Sequence, residues 1–398
     1  MTSAFSPLSP LPPDALLGLM TAFREDDRAE KFDLGVGVYK DEAGNTPVMS
    51  AVAKAEALML QRQTTKVYEG PRGNVDFCTA IEDFVFGVDA PARKEERTLS
   101  FTAPGGCGAL SLGVGLMRRI GVKKVWVSDP TWPNHPKVVQ SAGLTTGSYR
   151  YADPDTGTAD RAAMLEDLAR AERGDGVIVQ GPCHNPTGID LTLEDWRTLG
   201  AFVKERGLIV MLDVAYHGFA HGLDKDIAGV RVFMEAAGEA LISYSCSKNF
   251  GLYRERAGCF LAMGETAHGI AAATTHVADI SRATWSMPPA HGAGIVATIL
   301  GDAALRAEWE AELTSMRERM ISLRKALSGE LVNRTGSNLL ASLAMQNGMF
   351  SQLPVTPQAA TKLREEAGLY MPGSGRINIA GLNLKDIPRV AEIIATAL

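Results

Sequence analysis

The stretch SYSCSKNFGLYRERAG, Ser243 to Gly258, gathers the side chains best suited to covalent and anion chemistry. Lys248 follows an apolar run and four small residues, Ser243, Ser245, Cys246 and Ser247. An amine partly desolvated at a strand end loses part of its preference for the charged form, which exposes a nucleophile suited to forming a Schiff base. Taken alone, Lys248 also fits a structural lysine paired with an acid; its neighbours shift the balance. Arg256 stands eight positions later and Ser245 three before. A guanidinium fork and a hydroxyl together can hold a phosphate dianion.

Other segments supply complementary groups. In PGGCGALSLGVGLMRRI, glycines 105, 106 and 108 expose backbone N–H groups where a helix begins. Free N–H groups and the helix dipole favour an anion there, although a plain strand–helix turn has the same sequence. Asp213 closes the most apolar run in the chain, GLIVMLDVAYHG. A carboxylate so placed needs a cationic partner, either an arginine or a protonated pyridine nitrogen. Trp132, in DPTWPNH, offers a flat face for a planar ring or for the core. Asn185, in HNPTG, sits in turn-forming sequence. His217 and His221 lie four apart without an HExxH context, so no metal is expected. With no GxGxxG after the first expected strand and no GxxxxGK[ST], nicotinamide and P-loop chemistry lose their main support.

These groups need a scaffold that brings distant segments to one edge. Short apolar runs alternate with helical patterns, as in an α/β protein with a largely parallel sheet. Strands are expected over 98–101, 124–128, 176–180, 208–213, 240–244 and 259–263. A helix is expected over 192–205, with Thr192 as its cap and Asp195 completing a capping box. The first five strands run into APGGCG, DPTWPNH, GPCHNPTG, DVAYHG and SCSK. Ligands of open α/β sheets bind outside the carboxyl ends of the strands, so a site is expected there.

The expected organisation has four parts. An extended arm, 1–13, carries Pro7, Pro10, Pro12 and Pro13, and a first part of a small domain covers 14–47. A large domain covers 48–314. The rest of the small domain, 315–398, opens with the charged helix MRERMISLRKALSGELV. A chain of 398 residues is long enough for two domains, and 45% hydrophobic with 22% charged residues is a globular composition. A net charge of −6 argues against nucleic acid or an anionic membrane as partner. No apolar run reaches the roughly 18 residues of a membrane span, and the N-terminus lacks a signal-peptide pattern. Five scattered cysteines without a CxxC pair suit a reducing cytoplasm and propose neither disulfides nor a zinc site.

Taken together, the chain resembles the fold-type I, pyridoxal-5′-phosphate-dependent aminotransferases, in the aspartate and aromatic branch of class I. DLGVGVYKDEAGNTPV, TTKVY, PGGCGAL, DPTWPNH, HNPTG, DVAYHGF, SCSKNFG, ERAG, PPAHG, NGMFS and SGRINIAGLN occur in the family's order, nearly end to end. The resemblance implies a large cofactor-binding domain with a mostly parallel seven-stranded sheet flanked by helices, plus a smaller α/β domain. It implies that Lys248 anchors pyridoxal 5′-phosphate covalently and later shuttles a proton. It assigns Asp213 to the pyridine nitrogen, Tyr216 and Asn185 to the phenolic oxygen, and Trp132 to the ring face. Ser245, Arg256 and the backbone of Gly106 and Cys107 would bind the phosphate, joined by Tyr68 from the other subunit of a homodimer. Arg376 would clamp the substrate α-carboxylate, Gly37 would lie in the loop closing over the substrate, and His135 would stand behind Asp213.

For the substrate, the resemblance implies that Arg282, from the partner subunit, takes the distal carboxylate of aspartate or glutamate. Val67, Met287 and Cys107 stand where strict aspartate enzymes tend to carry polar residues, which lowers the desolvation cost of an apolar side chain. Val38, Lys40 and Thr46 are aspartate-like. The expectation is therefore an aminotransferase acting on aromatic amino acids and aspartate with 2-oxoglutarate, the alternative being a strict aspartate enzyme. A binding protein without turnover would have been marked by loss of Lys248, Asp213 or Arg376. A decarboxylase or lyase is disfavoured by SGRINIAG and SRATWS.

Overall fold

The computed structural model describes residues 3–11 and 14–398, so Pro12 and Pro13 of the expected arm, with Met1 and Thr2, lie outside the described residues. Residues 3–11 are exposed and carry a turn, Ser6 N–H to Ser3 O at 3.1 Å, where an extended arm was expected. Helix α1, Ala15–Glu25, follows, its first N–H groups capped by the Asp14 carboxylate.

Seven strands form the central sheet: β1 (Thr98–Pro104), β2 (Lys124–Asp129), β3 (Thr145–Arg150), β4 (Gly176–Gln180), β5 (Ile209–Val214), β6 (Ala240–Ser245) and β7 (Ala257–Met263). Their order is β1-β7-β6-β5-β4-β2-β3. All neighbours run parallel except β7, which is antiparallel to both β1 and β6. Alternate residues feed two cores. Val177, Val179, Val210 and Leu212 join one buried cluster, and Ile178 and Met211 the other. A sheet buried on both faces explains why these strands read as continuous apolar runs.

Six of the seven strands fall where the sequence places them, within about three residues at their ends. The missed one, β3, is TTGSYR at the sheet edge, where only Tyr149 is buried. An edge strand with a solvated face carries no apolar run to detect. Helix α2, Gly105–Arg119, starts directly after β1. Helix α3, Leu193–Arg206, has the expected capping box, with Thr192 Oγ1 accepting from Asp195 N–H at 3.1 Å.

The C-terminal region differs in one boundary. The charged helix expected to open near 315 is the second half of α4, Ala303–Thr335, which begins at the Asp302 cap. Leu305, Trp309, Leu313, Met316, Met320, Leu323, Leu327 and Leu331 form its buried stripe at three- and four-residue spacing. The stripe changes core midway: Leu313 packs in the sheet cluster, while Leu323 packs with Leu34, Leu369 and Ile377 in a separate one. Two short ladders flank that second cluster, Phe32–Asp33 parallel to Leu369–Tyr370 and Phe350–Gln352 antiparallel to Arg376–Asn378. Among the described residues, no helix is long and apolar enough to cross a membrane.

Candidate active site

A cavity of about 440 Å³ opens at the carboxyl edge of the parallel strands. Asp213 comes from the end of β5, Ser245 from the end of β6, and Gly106 and Cys107 from the start of α2. Strand β7 runs the other way, so its beginning lies at the same edge and delivers Arg256. Two glycines make this junction possible. A Cβ on Gly258 would stand 2.3 Å from the Gly105 carbonyl carbon, and one on Gly105 would stand 2.6 Å from Arg256 Nη2. The start of α2 therefore presses directly on β7 and on the guanidinium.

Lys248 Nζ lies 4.9 Å from the centre of the Tyr216 ring. Burial brings its amine down to about 8; Asp213 opposes the shift, and the guanidiniums of Arg256 and Arg376 add to it. Asp213 is buried, and its Oδ2 pairs with His135 Nε2 at 3.0 Å. His135 is wholly buried and its Nδ1 meets Thr131 Oγ1 at 2.7 Å. Among the described residues, Asp213 pairs with His135 and not with an arginine. Tyr216 OH accepts from Asn185 Nδ2 at 3.4 Å, and burial pushes its phenol up.

Two guanidiniums reach this cavity, and neither makes an ion pair with a carboxylate among the described residues. Arg256 donates to Tyr253 O at 2.9 Å and stands near Ser247 Oγ at 3.5 Å. Arg376, only 6% exposed, donates to Gly35 O at 2.8 Å and to Asn185 Oδ1 at 3.4 Å, and stacks 4.4 Å from the Phe350 ring centre. Its Nε is buried without a partner among the described residues. A cation held by neutral oxygens in a cavity favours an anionic ligand.

These groups fit a phosphorylated pyridine aldehyde. A hydroxyl, a guanidinium and helix-start N–H groups suit the phosphate, a carboxylate backed by histidine suits a ring nitrogen, and an amine of lowered basicity suits the aldehyde. The second guanidinium remains for a carboxylate. Trp132 and Gly37 also line the cavity, Gly37 so close to Phe350 that a Cβ would stand 3.1 Å from its ring.

Five residues singled out in the sequence lie elsewhere. Tyr68 is 83% exposed, Val67 is exposed, and neither they nor Met287 line the cavity. Arg282 is exposed and donates to Ser286 Oγ at 2.6 Å. His217 holds Tyr244 OH and Leu223 O, each at 2.7 Å, as a buried structural group. Conversely, Ser247, Tyr253 and Phe350 line the cavity without having been given roles. Each stood inside a quoted motif, yet a serine or aromatic residue there reads equally as packing.

Residues 29–394 match the family model described as aminotransferase class I and II. An aromatic-amino-acid aminotransferase of Paracoccus denitrificans is 45% identical over 388 residues, which cover 97% of this chain and 98% of the relative. An aspartate aminotransferase of Escherichia coli (strain K12) is 42% identical over 395 residues, covering 99% and 100%. The crystal structure of an aromatic-amino-acid aminotransferase from Burkholderia pseudomallei, covalently bound to pyridoxal phosphate, superposes with a TM-score of 0.96 at 35% identity over 100% of both chains.

Proposed function

The chain belongs to the class I and II aminotransferases, and from that premise we propose that it moves an amino group between aromatic amino acids or aspartate and 2-oxoglutarate, using pyridoxal 5′-phosphate. One observation carries the reading at the site: a lysine of lowered basicity shares a cavity with two guanidiniums that have no carboxylate partner among the described residues.

Bound pyridoxal phosphate supplies an aldehyde that accepts the amino group and a ring that draws electrons from the substrate Cα–H bond. Lys248 would hold the cofactor and, once released from it, its uncharged Nζ would take the proton from the substrate Cα and deliver it to the former aldehyde carbon, C4′. Asp213, fixed by His135, would keep the ring nitrogen protonated, and Trp132 would hold the ring. Tyr216 and Asn185 hydrogen-bond the ring oxygen. Ser245, Arg256 and the N–H groups of Gly106 and Cys107 hold the phosphate. Arg376 takes the α-carboxylate as a bidentate pair, next to Gly37. The amino acid and the oxo acid use the same groups in turn, so the two half-reactions alternate.

Tyr68 and Arg282, exposed in one chain, serve a homodimer with shared sites: Tyr68 reaches the partner's phosphate and Arg282 the distal carboxylate of aspartate. The free cysteines and the lack of a spanning helix among the described residues support a cytoplasmic protein. The cluster joining Leu34 to residues 323–394 supports a smaller domain built from 14–47 and 315–398. In a direct test, aspartate and phenylalanine are each turned over repeatedly only when 2-oxoglutarate is present, and Lys248→Ala abolishes both exchanges. Phenylalanine inert beside an active aspartate would leave a strict aspartate enzyme.

A further inference from the structure

The hydroxyl of Tyr253 joins two parts of the cavity that the reaction uses separately. Tyr253 lines the cavity together with Lys248 and Gly37. Its carbonyl accepts from Arg256 Nη1 at 2.9 Å, and its phenol oxygen accepts the Tyr39 N–H at 3.0 Å. Tyr39 ends the stretch 35–39, which is tied locally to Asp33 and Thr46 and across the chain to the strand Arg376–Asn378. Arg376 Nη2 bonds Gly35 O at 2.8 Å, and Asn378 Nδ2 bonds Val36 O at 2.6 Å and Val38 O at 2.8 Å. Of these bonds, only the one from Tyr39 crosses to the loop after Lys248. The stretch has little slack, because Gly37 already abuts the Phe350 ring.

A backbone N–H held away from water needs an acceptor, and the phenol is the one this N–H has. We propose that Tyr253 is a positioning residue: its hydroxyl fixes residues 35–39 against the loop carrying Lys248 and Arg256, so that order at the phosphate end of the cavity is passed to the wall beside which substrate binds. The inference rests on the aminotransferase reading for its consequence, not for its geometry. Tyr253→Phe keeps the ring and deletes one acceptor.

The test compares wild-type and Tyr253→Phe holoenzymes by hydrogen exchange and by steady-state kinetics. Amide exchange over 35–39 is expected to quicken about 3- to 10-fold, the loss of one hydrogen bond. KM for both amino acid and oxo acid is expected to rise by a similar factor, with kcat falling less than about 2-fold and cofactor affinity unchanged. Unchanged exchange with unchanged KM overturns the proposal. Weakened cofactor affinity with unchanged exchange overturns it too, since Tyr253 would then be a phosphate residue. A wild-type protein that transfers no amino group would sink the aminotransferase reading instead, and the exchange comparison, which needs no turnover, would still decide the latch.

Discussion

At Lys248, burial disfavours the ammonium while Asp213 favours it, and burial prevails with help from Arg256 and Arg376. The folded chain therefore releases this proton near 8, the unfolded chain near 10.5. Between those values the unfolded state holds more protons, so this group makes the cofactor-free protein more stable as pH rises through that window, and the penalty is fully present below 8. The same sign governs reactivity. Acylation of Lys248 in cofactor-free protein should reach half its limit near pH 8, whereas exposed lysines still gain above pH 10. Competitive labelling read by mass spectrometry checks this, and a Lys248 profile matching the surface lysines would contradict it. Lysine, arginine and aspartate were legible in the sequence because a charge beside an apolar run demands a reason. Tyr253 and Phe350 were not, since an aromatic residue in a loop needs no reason beyond packing.

Secondary-structure elements bring these groups together through one reversal of direction. If β7 ran parallel to its neighbours, Arg256 would lie at the opposite edge from Lys248. The sequence carries the apolar runs but not their direction, so the edge on which Arg256 falls was legible only through the resemblance. The contact between β7 and α2 depends on Gly258, whose Cβ would meet the Gly105 carbonyl at 2.3–2.5 Å. Backbone cannot swing aside as a side chain can. Gly258→Ala is expected to cost about 1–3 kcal/mol of stability and to weaken cofactor binding, because α2 must retreat and take its N–H groups with it. Thermal unfolding and cofactor titration measure both effects. Unaltered binding would mean that the helix start is not a phosphate site. The edge strand β3 and the start of α4 escaped the sequence for a common reason: each lies where a half-solvated face dilutes the apolar signal.

For the whole molecule, the exposed positions matter most. Arg282 carries the substrate argument and Tyr68 completes the phosphate site, yet both stand outside the cavity of their own chain. On the account proposed, two copies complete each other's sites, so the protein should sediment as a dimer at concentrations where it is active. Arg282→Ala should lower kcat/KM for aspartate about 10- to 100-fold, as expected for losing a charge-assisted pair, while phenylalanine changes less than about 3-fold. Equal losses for both substrates would remove Arg282 from the distal carboxylate.

The central claim is that one cavity accepts the amino group of both an acidic and an aromatic amino acid. It is tested most directly by a half-reaction on the purified protein loaded with pyridoxal phosphate, with no oxo acid present. Aspartate and phenylalanine are added separately while the visible absorbance of the pyridoxal form is followed as it gives way to that of the pyridoxamine form. The account predicts conversion with each amino acid, at comparable extents. Conversion with aspartate alone would contradict the dual substrate range, and conversion with neither would contradict the assignment of the cavity as the site of transfer.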